Sequence, residues 1–223
     1  MKKLIIATVL IVSQFAVSQI EKNPGDFNKV SSYDQIDVLL IASNETKVLL
    51  SGKDSEEVEV INNNGELKIR MPLKKAFKGD AVSATVYYKK IDAVEANEGS
   101  RISSQDVIKG GGFSVYALAG SEIKLKLDVD KVDVQGVAGS KINLEGKAKT
   151  QDVDINSGSI LYADKLITEQ TTITVTAGGR ADINATALVD AKVRAGGKVM
   201  IYGKPLKIHK KTVAGGKIEE YGK

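Results

Sequence analysis

The chain has no cysteine, so a disulfide, a thiol nucleophile and a thiolate metal site are all excluded. Histidine occurs once, as His209, which removes a histidine-rich metal centre and any relay between imidazoles. Its setting, "KIHKKT", offers no catalytic partner, and a solvated basic face accounts for it. Proline stands only at positions 24, 72 and 205, so little interrupts strand pairing. A dominant charge of one sign is also missing. The formal net charge of +4 falls to +2 without Lys2 and Lys3, a balance that argues against nucleic acid as a partner. Beyond the first residues no apolar run approaches the length of a membrane span.

Those first residues have a layout of their own. Lys2 and Lys3 precede an apolar run over 4–12, and Ala16 and Ser18 are the small residues a signal peptidase reads. This is the pattern of a secretory signal peptide over 1–18, and the run is too short to cross a bilayer. With no cysteine after it, a lipoprotein anchor is excluded. The mature chain is expected to be exported to the periplasm, the cell surface or the medium, with no transmembrane segment of its own.

What is abundant is valine, isoleucine, threonine and glycine in period-two alternation, the signature of an all-β chain. Gly99-Ser100, Gly120-Ser121, Gly139-Ser140, Gly158-Ser159, Gly178-Gly179, Gly196-Gly197 and Gly215-Gly216 follow one another at intervals of 21, 19, 19, 20, 18 and 19 residues. A fixed period near twenty marks a solenoid. Five residues before the first six of these glycines stand Val94, Val115, Val134, Val153, Ile173 and Ala191; three after all seven come Ile102, Ile123, Ile142, Leu161, Ala181, Val199 and Ile218. Odd offsets are mostly apolar or small and even offsets mostly polar, as alternate faces of a strand require. Residues 91–223 therefore read as a right-handed parallel β-helix of ~19-residue coils, each about 60 Å around and stacked ~4.8 Å apart. The small residues at the glycines are expected at a crowded inner corner, where glycine's backbone freedom also helps. An antiparallel sandwich is the rival, but it gives no reason for files that stay in phase.

Residues 19–90 are less regular. Alternating runs at 36–41, 47–50, 58–61, 67–71 and 82–91 fit either irregular capping coils or a small separate β-domain. Asn62-Asn63-Asn64-Gly65 reads as a tight turn, and residues 71–80, with Pro72, Lys74, Lys75, Lys78 and Gly79, as a loop or boundary.

Phe27, Val30, Tyr33, Ile36 and Val38, then Val58-Glu59-Val60 and Gly65-Glu66-Leu67-Lys68-Ile69, then the serial Gly-Ser and Gly-Gly coils, together resemble the putative auto-transporter adhesin, head GIN domain family of secreted bacterial proteins. The resemblance covers residues 27 to about 220. It implies a β-helical fold, export and an adhesive or binding role, and it carries over no catalytic residue. Nothing in the chain resembles the membrane barrel of an auto-transporter, so the adhesive role rests on analogy.

Two charged clusters are candidate sites. Arg180, Lys198 and Lys217 share one outward offset in three successive coils, with Arg194 close by. Such a strip could hold an anionic glycan or a lipid headgroup, or it could simply protect the last coils from edge-to-edge aggregation. Asp133 and Asp152 share another offset and Asp154 lies two residues on, a start towards the six to eight oxygens of a calcium site; a solvated acidic stripe paired with Lys131 and Lys149 is the plainer account. "KGGGF" at 109–113 precedes no helix and is a poor phosphate cradle. The function this supports is a non-enzymatic exported scaffold binding a glycan, an envelope component or a protein, with no cofactor unless calcium is bound. The alternative is a β-helix polysaccharide lyase or hydrolase, although coils of 18–21 residues leave little room for the long loops of a cleft.

Overall fold

A computed structural model describes residues 19–222; the expected signal peptide over 1–18 lies outside the described residues. Nearly every alternating run becomes a strand. The N-terminal part contains β1 (Ile20–Lys22), β2 (Lys29–Ser32), β3 (Asp37–Ala42), β4 (Lys47–Gly52), β5 (Glu59–Asn63), β6 (Glu66–Arg70), β7 (Val82–Tyr88) and β8 (Ala93–Ala96). The long strands β9 (Arg101–Ala117), β10 (Glu122–Gly136), β11 (Lys141–Ile155), β12 (Ile160–Thr176) and β13 (Arg180–Arg194) follow. The chain closes with β14 (Lys198–Gly203), β15 (Lys207–Val213) and β16 (Lys217–Glu220).

The pairing from β8 to β16 is parallel throughout. Val94 pairs with Val115, Val115 with Val134, Val134 with Val153, Val153 with Ile173 and Ile173 with Ala191. Ile102, Ile123, Ile142, Leu161, Ala181, Val199 and Ile218 stack in the same way. The chain is a parallel β-solenoid, and its core is these columns. All but Ile218 are buried, each large aliphatic contributing roughly 1.5–3 kcal/mol by leaving water.

Each coil has two sides joined by two corners. In β10, Ile123, Leu125, Leu127 and Val129 are buried, Asp130 and Lys131 are both exposed, and Val132 and Val134 are buried again. Two consecutive outward residues turn the strand through the far corner without breaking its pairing.

The near corner is the Ala-Gly-Ser turn, and here the expected crowding is corrected. Ala119, Ala138, Ala177, Ala195 and Ala214 have φ between 46° and 56°, and the glycines after them lie between 73° and 84°. Both residues are in the left-handed region, as in a type I′ turn, closed by the Ser121 amide donating to the Leu118 carbonyl at 3.2 Å. These residues are exposed, and a Cβ placed on Gly120, Gly139 or Gly158 would meet nothing. Backbone angle, not lack of room, selects them. The crowded position is the next one, where Ser100, Ser121, Ser140 and Ser159 are buried. Their hydroxyls bond within the corner: Ser121 donates to the Ala96 carbonyl at 2.8 Å and accepts from the Leu118 amide at 2.9 Å. At Gly197 even a Cβ would stand 2.7 Å from Val175 Cγ1, so the later coils use glycine.

Residues 19–90 join the same sheet, out of chain order. β2 and β3 pair in parallel with β8 and β9, while β6 and β7 stack in parallel on the other flank of β2 and β3. Outside these, β4 and β5 run antiparallel to β7 and β6, with β1 antiparallel to β4. The excursion caps the open end of the core, which a solenoid requires. Asn64 and Gly65, both at positive φ, make the β5–β6 turn, and residues 71–81 form the corner between β6 and β7.

Candidate functional site

A regular solenoid presents its polar residues as columns on two flat sides, so each candidate can be located by register. Arg180, Lys198 and Lys217 are direct neighbours on β13, β14 and β16. Three like charges ~4.8 Å apart repel, and the adjacent column supplies carboxylates. The Arg180 guanidinium donates to Asp182 at 3.0 and 3.4 Å, and Lys198 Nζ meets Glu219 at 2.7 Å. Lys217 makes no ion pair among the described residues. Arg194 ends β13 before the turn, exposed and around the corner from the other three, also without an ion pair among the described residues. The basic file is thus half neutralised and divided between two sides.

Pairing turns this region into something other than a cation strip. Asp182 is only 5 % exposed although it points away from the core. Tyr162 and Met200 flank it in its column, and Arg180 covers it. The hydrogen bond with Asp182, then its charge, hold the Arg180 pKa above its ordinary value. In the next column Asn184 Nδ2 donates to the Asp164 carbonyl at 2.8 Å, and Tyr202 pairs with Asn184. The rings of Tyr202 and Tyr221 stack with centroids 4.7 Å apart and planes 22° from parallel. Burial first, then the charges of Asp182 and Asp164, raise the Tyr202 phenol. Aromatic residues make up 5 % of the chain, so three tyrosines beside one shielded ion pair stand out. Residue-level reading missed Tyr162, Asp182, Tyr202 and Tyr221. The signal was available: Tyr202 and Tyr221 both lie six residues after a turn glycine.

Such a surface is rigid, nearly charge-balanced and planar. It offers the edges of the stacked rings and the outer face of Tyr221 for apolar contact, and a fixed fork of donors and acceptors for orientation.

The aspartates lie on the other side. Asp133 and Asp152 are register neighbours, while Asp154 pairs with Gln135 one column over. Lys131 Nζ sits 2.8 Å from Asp133 and 3.0 Å from Asp152, and Lys149 pairs with Asp130 at 2.7 Å. With Tyr116, Gln135 and Thr172 the three aspartates line a shallow hollow of about 280 Å³. Among the described residues no group of three or more acidic or histidine side chains is placed to hold a metal ion. His209 stacks on Asp190 with Nδ1 3.9 Å from the carboxylate, too far for a hydrogen bond.

Comparison with known proteins places the fold. A family model for the putative auto-transporter adhesin, head GIN domain matches residues 26–205. The chain belongs to this family. No curated protein matches this head GIN chain in sequence. Among solved structures it is similar to a putative adhesin from Bacteroides fragilis, with 17 % identity and a TM-score of 0.82 over 91 % of this chain and 96 % of that one. A putative adhesin from Parabacteroides merdae has 17 % identity and a TM-score of 0.70 over 91 % and 95 %. A putative lipid binding protein from Parabacteroides distasonis has 12 % identity and a TM-score of 0.64 over 91 % and 96 %. Identities this low establish the shared solenoid alone. The family and these relatives carry adhesin or binding names, not enzyme names. Among the described residues no helix is long and apolar enough to cross a membrane.

Proposed function

We propose that this head GIN protein is an exported, non-enzymatic scaffold that binds a surface glycan through the outward face of β12, β13, β14 and β16. The observation that carries the reading is the Tyr202–Tyr221 stack beside the shielded Arg180–Asp182 pair. A pyranose has an apolar face of C–H groups that can lie on the outer face of Tyr221, the exposed ring that Tyr202 backs, and a rim of hydroxyls that bond planar charged groups. A flat, pre-organised sheet offers both at little conformational cost. With Asp182 and Glu219 neutralising Arg180 and Lys198, the patch suits a glycan of low charge density; Lys217 supplies a cation for an anionic substituent at its edge. Export to the periplasm, the cell surface or the medium fits the signal-like N-terminus and the adhesin family. The lyase or hydrolase reading finds less support, because the insertion over this face is the short β12 bulge at 164–166, which is no wall for a cleft.

The test is a glycan array probed with the chain from residue 19, followed by calorimetry on the strongest hit. Tyr202→Ala and Tyr221→Ala should each weaken binding about tenfold, as expected of central aromatic contacts. Asp182→Asn should weaken it as well while leaving the fold intact. An array with no hit, or affinities indifferent to these substitutions, refutes the proposal. Release of unsaturated or reduced-length sugars from the hit would favour the enzyme instead.

A further inference from the structure

At the opposite end of the rod, the corner between β6 and β7 is a loop built to hold apolar side chains in water. Leu73 is 93 % exposed and Phe77 58 %. Isolated exposed apolar residues are ordinary; two within five residues on a pinned loop are not. The pinning is specific. Asp34, nearly buried, accepts hydrogen bonds from the Met71 amide at 3.0 Å and the Phe77 amide at 2.8 Å through its two carboxylate oxygens. Its own carbonyl accepts from the Gly79 amide at 2.9 Å. Gly79 is required at that approach, because a Cβ there would collide with the Asp34 carbonyl and with Ile36. Lys75 ties the other flank to Asp54 at 2.9 Å and Glu57 at 2.7 Å.

Held this way, Phe77 sits at φ 62, a conformation that a bulky aromatic residue seldom adopts. Strain maintained by surrounding hydrogen bonds points towards use rather than accident. Had the loop been selected for stability alone, glycine or asparagine would serve at that angle. Instead the strained residue is a phenylalanine, which lines one hollow together with Leu73. Lys74 and Lys78 directly follow Leu73 and Phe77 in the chain and make no ion pair among the described residues. Asp80 is the acidic residue of the segment, so the segment's own unpaired charge is modestly positive; Glu59, paired with Arg70, and Glu98 line the hollow behind Leu73 and Phe77.

We infer that residues 72–78 form a contact loop for an anionic lipid bilayer surface. Leu73 and Phe77 enter the acyl boundary while Lys74 and Lys78 meet headgroup phosphates. Apolar tips next to unpaired lysines are the combination that binds an interface. Most of the binding comes from apolar insertion, on the order of a hundredfold for the two side chains together. Each lysine adds about fivefold on an anionic surface. The loop lies at the capped end and the tyrosine face on the last coils. Membrane contact therefore leaves that face free, and this inference stands or falls independently of glycan binding.

The experiment is co-sedimentation of the chain from residue 19 with vesicles of phosphatidylcholine containing phosphatidylglycerol, and with phosphatidylcholine alone. Binding to the anionic vesicles is expected to exceed binding to the neutral ones by at least tenfold. Leu73→Ser with Phe77→Ser should abolish it, Lys74→Glu with Lys78→Glu should remove the preference for anionic lipid, and Tyr202→Ala should change neither. Because Leu73 and Phe77 are exposed, the variants should keep the wild-type melting curve. Absence of sedimentation overturns the inference, as does binding that survives the serine substitutions or is equal for both compositions. A dimer in solution that the serine variant dissociates also overturns it, by assigning the loop to a second copy of the chain.

Discussion

Gly139 and Gly197 are both turn glycines, yet opposite reasons hold them in place, and substitution can separate the two. At Gly139, φ is +74° and a Cβ would meet no atom within 4 Å. An L-residue there suffers only the left-handed backbone, about 1–2 kcal/mol, partly offset by ~0.4–1 kcal/mol from the reduced freedom of the unfolded chain. The net is about 1 kcal/mol, and it should scarcely depend on side-chain size, because the side chain enters solvent. At Gly197 the backbone is ordinary, but a Cβ would lie 2.7 Å from Val175 Cγ1 and 3.3 Å from both Val193 Cγ1 and the Gly179 carbonyl oxygen. Alanine there should cost roughly 1–3 kcal/mol by overpacking, rising with every added atom. Urea denaturation of Gly139→Ala, Gly139→Leu, Gly197→Ala and Gly197→Leu decides the matter, with m-values checked so that one cooperative transition is being compared. The Gly139 pair should agree within about 0.5 kcal/mol, whereas the Gly197 pair should diverge sharply. If Gly139→Leu proves several kcal/mol worse than Gly139→Ala, the turn is crowded and the backbone explanation is wrong.

Three further outcomes follow from single sites. Burial alone would raise Glu66, but hydrogen bonds from Ser31, Lys29 and Lys68 outweigh it and bring the carboxyl down to about 2. Its folded value lies below its unfolded one near 4.3, so its contribution is full above that pH and disappears as pH falls towards 2. For a carboxylate one quarter exposed this is about 1 kcal/mol after solvent screening, and Glu66→Gln should flatten the stability profile over that range. Gln151 is buried, its Nε2 has no hydrogen-bond partner, and its Oε1 is 3.5 Å from Thr171 Oγ1. Gln151→Met should raise stability by up to about 1 kcal/mol, and a marked loss in denaturation would show that the amide is satisfied. Because Lys131 bridges Asp133 and Asp152, millimolar calcium should leave the melting midpoint unchanged. A calcium-dependent rise that Asp152→Asn removes would restore the aspartates as a metal site.

Periodicity alone was enough to determine the solenoid. Parallel stacking repeats the same environment every coil, so one residue type recurs at one offset, and the Val94–Ala191 and Ile102–Ile218 columns were legible as files before any coordinate. The left-handed Ala-Gly turn was visible as a position but not as a cause, since a spacing rule cannot tell a twisted backbone from a crowded one. Local patterns also could not show that β6 and β7 stack outside β2 and β3. That order is set by the need to cover an open core end, a global requirement with no local signature. The sites diverge for the same reason. Arg180 and Lys198 read as free cations because their partners, Asp182 and Glu219, sit at a different offset, and the Asp34 clamp on Phe77 spans 43 residues of chain. Sequence specifies which residues lie above one another, through hydrophobic burial at a fixed repeat. Only the folded geometry decides which neighbouring charges cancel and which apolar side chains are left facing water.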